Sequence, residues 1–84
     1  MDRQEILLKL TDLFREIFDD SSIVLTEATT AEDVYGWDSL NHVAIVVQTE
    51  RRFGVKFQTS EIEELKNVGD FILLIEKKLK EKAA

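Results

Sequence analysis

The chain of 84 residues contains no cysteine, no proline and only one histidine. Without cysteine it can form neither a disulfide nor a protein thiolate, and a reducing compartment is its expected setting. Its three glycines form no glycine-rich phosphate loop, and no group of residues has metal-ligand spacing. Function must therefore depend on a few side chains or on a surface.

Positive charge is absent from a long internal stretch. No Lys or Arg occurs from Glu16 to Glu50, and residues 1–50 carry 11 acidic and 3 basic side chains. Residues 51–84 carry 6 acidic and 8 basic side chains, which leaves a net charge of −6. Such a surface repels nucleic-acid phosphates and attracts basic proteins. We therefore expect protein partners and no nucleic acid, although the acidic balance by itself could serve solubility alone.

Long apolar runs are also missing. The stretch Val43–Val47 is far shorter than the roughly 20 residues that span a bilayer. The segment Met1–Glu5 lacks the basic and then apolar layout of a signal peptide. We expect a cytoplasmic, monomeric protein that does not insert into membranes and forms a single domain over residues 1–84.

The apolar residues recur at helical spacing, which predicts an all-α fold. Helix 1 is predicted from Arg3 to Phe18 after Asp2 as N-cap, and helix 2 from Asp38-Ser39 to about Phe53 with Gly54 as stop. Helix 3 is predicted from Thr59-Ser60 to Leu65, with Thr59 or Ser60 as cap, and helix 4 is predicted to start after Asn67. The predicted architecture is a small four-helix bundle of three longer helices and one short helix, with a long loop between helices 1 and 2.

That loop has no helical period, and it is expected to lie across the bundle in an ordered form. Four apolar residues are expected to anchor it: Ile23, Leu25, Val34 and Tyr35. A short turn is expected over Ala31–Val34.

The second helix carries two apolar stripes. Ile45, Val46, Thr49 and Phe53 form the first, and Leu40, Val43, Ala44 and Val47 form the second. A helix in so small a domain should not bury its whole circumference. We expect part of the second stripe to be exposed, although both stripes could instead pack in the core.

Ser39, at the predicted start of this helix, has three possible roles. It or Asp38 could simply cap the helix. It could be a hydrolytic nucleophile, as in esterases with a Gly-Asp-Ser-Leu motif, but His42 is the only imidazole and we expect it to be a solvated helix residue. It could also carry a phosphate, either a regulatory one or a phosphodiester-linked prosthetic group, because a helix N-terminus favours anions.

The sequence resembles the acyl carrier proteins over nearly its whole length. The resemblance is carried by Asp38-Ser39-Leu40 with the valines that follow, by Phe53-Gly54-Val55, and by Asn67-Val68-Gly69-Asp70-Phe71. It implies a protein that holds acyl groups as thioesters on a 4′-phosphopantetheine arm attached to Ser39. A separate phosphopantetheinyl transferase would attach the arm from coenzyme A with Mg²⁺, and the carrier itself would not be an enzyme.

The resemblance also implies how partners dock. Leu40, Val43, Ala44 and Val47 would form an apolar docking stripe, and Asp38, Glu32, Asp33 and Glu50 would attract basic patches on acyl-loading, condensing or acyl-transferring enzymes. Asn41, Ala44 and Gln48 stand where fatty-acid carriers often have acidic residues, and Trp37 replaces a smaller residue. These departures favour a dedicated carrier of polyketide-like or other specialised acyl metabolism. The alternative is an acidic interaction module that carries no prosthetic group.

Overall fold

The helices begin and end where local capping satisfies their terminal backbone groups. The computed structural model describes residues 1–83, and the described chain contains helices and loops but no strand. The helices are α1 (Arg3–Ile17), α2 (Ser39–Phe53), α3 (Thr59–Glu63) and α4 (Val68–Ala83), with one 3₁₀ turn at Ala31–Asp33. The predicted four-helix bundle is confirmed.

Three predicted helix ends are confirmed by their contacts. The Asp2 carboxylate accepts a hydrogen bond from the Glu5 amide at 2.9 Å, and Asn67 Oδ1 accepts one from the Asp70 amide at 2.8 Å. Gly54 adopts φ 65°, a left-handed conformation that favours glycine, and its N–H donates to the Glu50 carbonyl. These contacts fix where α1 and α4 start and where α2 stops.

Helix α3 begins at Thr59, as predicted, but the predicted cap residue was wrong. Gln58, not Thr59 or Ser60, is the N-cap, and its N–H donates to Glu61 Oε1 at 2.9 Å. The helix also ends at Glu63, before Leu65. A glutamate three residues after an extended residue can satisfy the first amide, so no hydroxyl is needed there.

The hydrophobic core lies where α1 meets α2 and α4. The fully buried side chains of these helices are Ile6, Leu10, Leu13, Phe14, Ile45, Thr49, Val68, Ile72 and Ile75. Thr49 is the polar member, and its hydroxyl donates to the Ile45 carbonyl at 2.7 Å. None of the described helices combines the length and apolarity needed to cross a membrane.

The α1–α2 loop is ordered, as expected, but its anchors differ from the prediction. Leu25 and Val34 are buried and Ile23 is half-buried, whereas Tyr35 is 100% exposed. The expectation that Tyr35 anchors the loop was therefore wrong. Backbone extension after the 3₁₀ turn buries Val34, and neighbouring side chains of extended backbone point to opposite sides.

Backbone hydrogen bonds attach this loop to the start of α4. The Val68 N–H donates to the Thr29 carbonyl and the Gly69 N–H to the Glu27 carbonyl, both at 2.8 Å. A Cβ atom at Gly69 would lie only 2.9 Å from the Glu27 oxygen. Glycine is therefore required here by the close approach of two backbone segments.

Replacing Gly69 with Ala should lower the free energy of unfolding by about 1–3 kcal/mol, because the added methyl group must push the loop away from α4. Glycine-to-alanine changes inside helices ordinarily have the opposite sign. Urea unfolding measures the difference, with Lys80→Ala in the same helix as the control, expected within about 0.5 kcal/mol of the parent. If Gly69→Ala were more stable than the parent, the Glu27 backbone would move away from α4 without any loss in the free energy of unfolding.

Candidate functional site

Asp38 caps helix α2. Its backbone is extended (φ −112°, ψ −175°), and its carboxylate accepts a hydrogen bond from the Asn41 amide at 2.9 Å. The Asn41 side-chain amide in turn donates to the Gly36 carbonyl at 2.7 Å. The sequence left open whether Asp38 or Ser39 is the cap, and the structure assigns that task to Asp38.

Ser39 is the first residue of α2 and is exposed to solvent. Its hydroxyl makes no hydrogen bond with any of residues 1–83. The first N–H groups of a helix lack intrahelical partners, and the helix dipole places partial positive charge there. The surroundings of Ser39 therefore suit a hydroxyl that is esterified by a phosphate group.

Ser39 borders an open cleft of about 380 Å³. The cleft is lined by Ala31, Trp37, Asp38, Ser39 and His42. Three of these residues, Ala31, Trp37 and His42, also line a second cavity of about 80 Å³. That cavity extends to the α3–α4 connection, where its lining includes Leu65, Asn67 and Phe71. The exposed serine thus stands beside a partly apolar wall.

Trp37 and His42 form that wall as a hydrogen-bonded pair. Trp37 Nε1 donates to His42 Nδ1 at 3.0 Å, and the two rings stack with their centroids 6.0 Å apart. Trp37 also packs on Phe14 in the core in a T-shaped arrangement, with centroids 5.0 Å apart and planes at 83°. His42 is half-buried, so the expectation of a solvated histidine was wrong.

This pairing also bears on the hydrolase interpretation. An indole N–H can only donate, so His42 Nδ1 must accept, and the proton of the neutral imidazole then lies on Nε2. This tautomer has no remaining nitrogen that could accept a proton from the Ser39 hydroxyl. The geometry therefore gives Ser39 no activating base at His42.

The second stripe of α2 is largely exposed, as predicted. Leu40 is 81% exposed, Val43 59% and Val47 40%, while Ala44 is half-buried. The first stripe faces the core through Ile45, Thr49 and Phe53, with Val46 half-buried at its edge. An apolar surface of this kind, beginning one residue after Ser39, is typical of a protein contact.

The acidic residues expected at the docking surface also have structural roles. Asp33 accepts a hydrogen bond from the Thr30 amide at 2.9 Å and remains exposed. Glu50 is half-buried, and its carboxylate accepts one from the Phe57 amide at 2.8 Å. Glu50 therefore supports the α2–α3 connection, a role that its place in the acidic stretch did not indicate. Contact of either residue with a partner stays a prediction.

Comparison with known proteins agrees with the fold and with the expected prosthetic group. The family model described as a phosphopantetheine attachment site matches residues 8–75. The chain is 40% identical to the acyl carrier protein of Thermotoga maritima over 92% of its own length and 95% of that protein. It is 33% identical to a meromycolate extension acyl carrier protein of Mycolicibacterium aurum, over 89% and 77% of the two lengths.

Two solved structures have the same fold. The solution structure of a holo acyl carrier protein from Geobacter metallireducens superposes with a TM-score of 0.86 at 48% identity, covering 92% of this chain and 88% of that one. The crystal structure of an acyl carrier protein from Thermotoga maritima gives a TM-score of 0.82 at 28% identity, covering 96% and 94%.

Proposed function

Because the chain belongs to the acyl carrier proteins, which carry a 4′-phosphopantetheine prosthetic group, we propose that this group is attached to Ser39. The protein is a carrier, and the bound group supplies a thiol that holds the acyl cargo as a thioester. No residue of this cysteine-free chain could supply such a thiol itself. We further propose that residues 1–84 form one carrier domain without catalytic activity of its own.

The proposal that Ser39 is the attachment site rests on the different roles of Asp38 and Ser39. Asp38 satisfies the helix terminus through the Asn41 amide, so the Ser39 hydroxyl remains available to an incoming enzyme. Leu40 follows with most of its side chain in solvent, and the Trp37–His42 pair lines the cleft together with Ser39. Intact-protein mass spectrometry of Ser39→Ala after incubation with a phosphopantetheinyl transferase tests this assignment directly.

The proposed partners are that transferase and enzymes that load, condense or transfer acyl groups. The exposed stripe Leu40, Val43 and Val47 would provide apolar contact area. The absence of Lys and Arg from residue 16 to residue 50 would favour partners with basic patches. Asn41 and Ala44 place no charge within the stripe itself, so we propose a dedicated partner set that docks on α2 mainly through apolar contacts.

A glutamate at Val43 or Val47 should weaken docking and leave the fold intact. Both side chains are substantially exposed, so a carboxylate there stays hydrated, but burying it against an apolar partner surface is costly. We expect kcat/KM for loading by the transferase to fall roughly tenfold or more, which corresponds to about 1.4 kcal/mol. Enzyme kinetics and circular dichroism measure the two effects.

Leu73→Glu is the matched control, because Leu73 is 51% exposed but lies on α4. It adds the same charge outside α2, and its loading kinetics should equal those of the parent. Loss of helicity in Val43→Glu or Val47→Glu would show that these valines hold the core together. Unchanged kinetics with full helicity would place docking elsewhere.

A further inference from the structure

The α1–α2 loop presents a second exposed apolar feature, separate from the stripe on α2. Tyr35 is 100% exposed and Val24 is 72% exposed, although each is next to a residue that is buried: Val34 and Leu25. In each pair, therefore, one side chain packs in the core and the other is exposed to solvent. Core packing accounts for Leu25 and Val34 but gives no reason for a tyrosine and a valine in solvent.

Both side chains line an open cavity of about 430 Å³. Its apolar lining includes Ile23, Val24 and Tyr35, and its acidic lining is Asp20 and Asp33. Neither Ser39 nor any residue of α2 contributes to it. The cavity is thus distinct from the attachment site and from the stripe on α2.

One acidic group of this cavity, Asp20, is held in its charged form, and one cation lies beside it. Hydrogen bonds from the side chain and the backbone of Ser22 lower the pKa of Asp20, which keeps its carboxylate charged. The charge of Arg15 makes a smaller contribution to the lowered pKa of Asp20, but the Arg15 Nε donates to the Ile23 carbonyl at 2.8 Å. No Lys or Arg follows until Arg51. The cavity therefore favours a positively charged guest.

The loop is also held in place by its own hydrogen bonds. The Thr26 amide donates to Thr29 Oγ1 and the Thr30 amide to Asp33, each at 2.9 Å. The Thr29 carbonyl is in turn bound to α4. A surface fixed in this way loses little conformational entropy when a partner binds.

We propose that Val24, Tyr35, Asp20 and Asp33 form a second protein-docking surface, the loop surface. Its partner is a protein segment that places an Arg side chain beside an aliphatic one. The guanidinium would lie between the tyrosine ring and the carboxylates, where cation–π attraction and charge-assisted hydrogen bonds both act. The aliphatic side chain would pack on Val24. This surface needs neither the prosthetic group nor Ser39, and it shares only Asp33 with the residues expected to attract acyl-handling enzymes, so it goes beyond the carrier function.

The test is an NMR titration of the full ¹⁵N-labelled chain with a synthetic helical peptide that carries Arg and Leu on one face. A second peptide with Glu in place of every Arg serves as the charge control. We expect the largest shift changes at Val24 and Tyr35, and roughly tenfold weaker binding after Tyr35→Ala. Because Tyr35 is fully exposed, this variant should fold as the parent does.

Leu8→Ala is the matched control, since Leu8 is 58% exposed on α1 and does not line the cavity. It should bind the Arg peptide as tightly as the parent chain. The proposal is overturned if shift changes are confined to the α2 stripe, if Tyr35→Ala binds as tightly as the parent, or if the Arg peptide does not bind. Equal binding of the Glu peptide would also overturn it. Failure of Ser39→Ala to block loading would leave this result unaffected.

Discussion

The Ser39→Ala variant is expected to gain no mass with coenzyme A, Mg²⁺ and a phosphopantetheinyl transferase, while the parent chain gains one phosphopantetheinyl adduct. The transferase breaks the diphosphate bond of coenzyme A, releases its nucleotide part and joins the phosphopantetheinyl phosphate to a hydroxyl oxygen, which loses its proton. Alanine offers no such oxygen. Since the Ser39 hydroxyl has no hydrogen-bond partner within residues 1–83, its loss should change the free energy of unfolding by no more than about 0.5 kcal/mol. The lost adduct would therefore report chemistry and not misfolding.

Ser60→Ala provides the matched control. Ser60 is also an exposed serine in the first turn of a helix, and its neighbours are those of α3 instead of α2. This variant should be loaded as fully as the parent chain. An adduct on Ser39→Ala would assign the arm to another residue. If a folded parent chain gained no adduct, the interaction module without a prosthetic group would become the better description.

Replacing Phe14 with Ala should give the largest loss of stability, about 3–5 kcal/mol. Phe14 is fully buried, and it packs on Phe18 and Trp37 with ring centroids 5.9 Å and 5.0 Å away. A domain of this size has only about 5–15 kcal/mol to lose, so the variant should unfold at much lower urea concentration. The sole tryptophan, Trp37, reports the change by fluorescence.

Leu8→Ala is the control for the loss of apolar atoms in general, because Leu8 is exposed on the same helix. It should lower the free energy of unfolding by about 0.5 kcal/mol or less. A loss below about 1 kcal/mol for Phe14→Ala would mean that Trp37 and its neighbours close over the vacated space. In that case the wall beside Ser39 would be more adaptable than its contacts suggest.

The helices could be predicted from the sequence because their ends are decided locally. A carboxylate or amide three residues before a free N–H, as at Asp2 and Asn67, acts over one turn of helix. Gly54 likewise needs only its own left-handed conformation. The exposed stripe on α2 followed from counting apolar residues around one helix. Ser39 was singled out by its place at a helix start and by the resemblance to acyl carrier proteins.

The errors arose where contacts join distant parts of the chain or where neighbouring residues compete. Tyr35 and Val34 are both apolar, and only the backbone path decides which one is buried. His42 is half-buried because Trp37, five residues earlier, bends back onto it. The structural role of Glu50 was missed for a similar reason: it binds the Phe57 amide across the turn after α2, a contact that residue spacing on α2 does not reveal. Its expected contact with a partner stays a prediction.

Because Asp38 performs the capping, the fold around Ser39 is complete before anything is attached to it. An unmodified chain should then resist proteolysis as well as a modified one, because degradation follows access to unfolded states. Under the proposed assignment, the stability of this helix start depends on Asp38 and loading depends on Ser39, so two adjacent residues serve two separate properties.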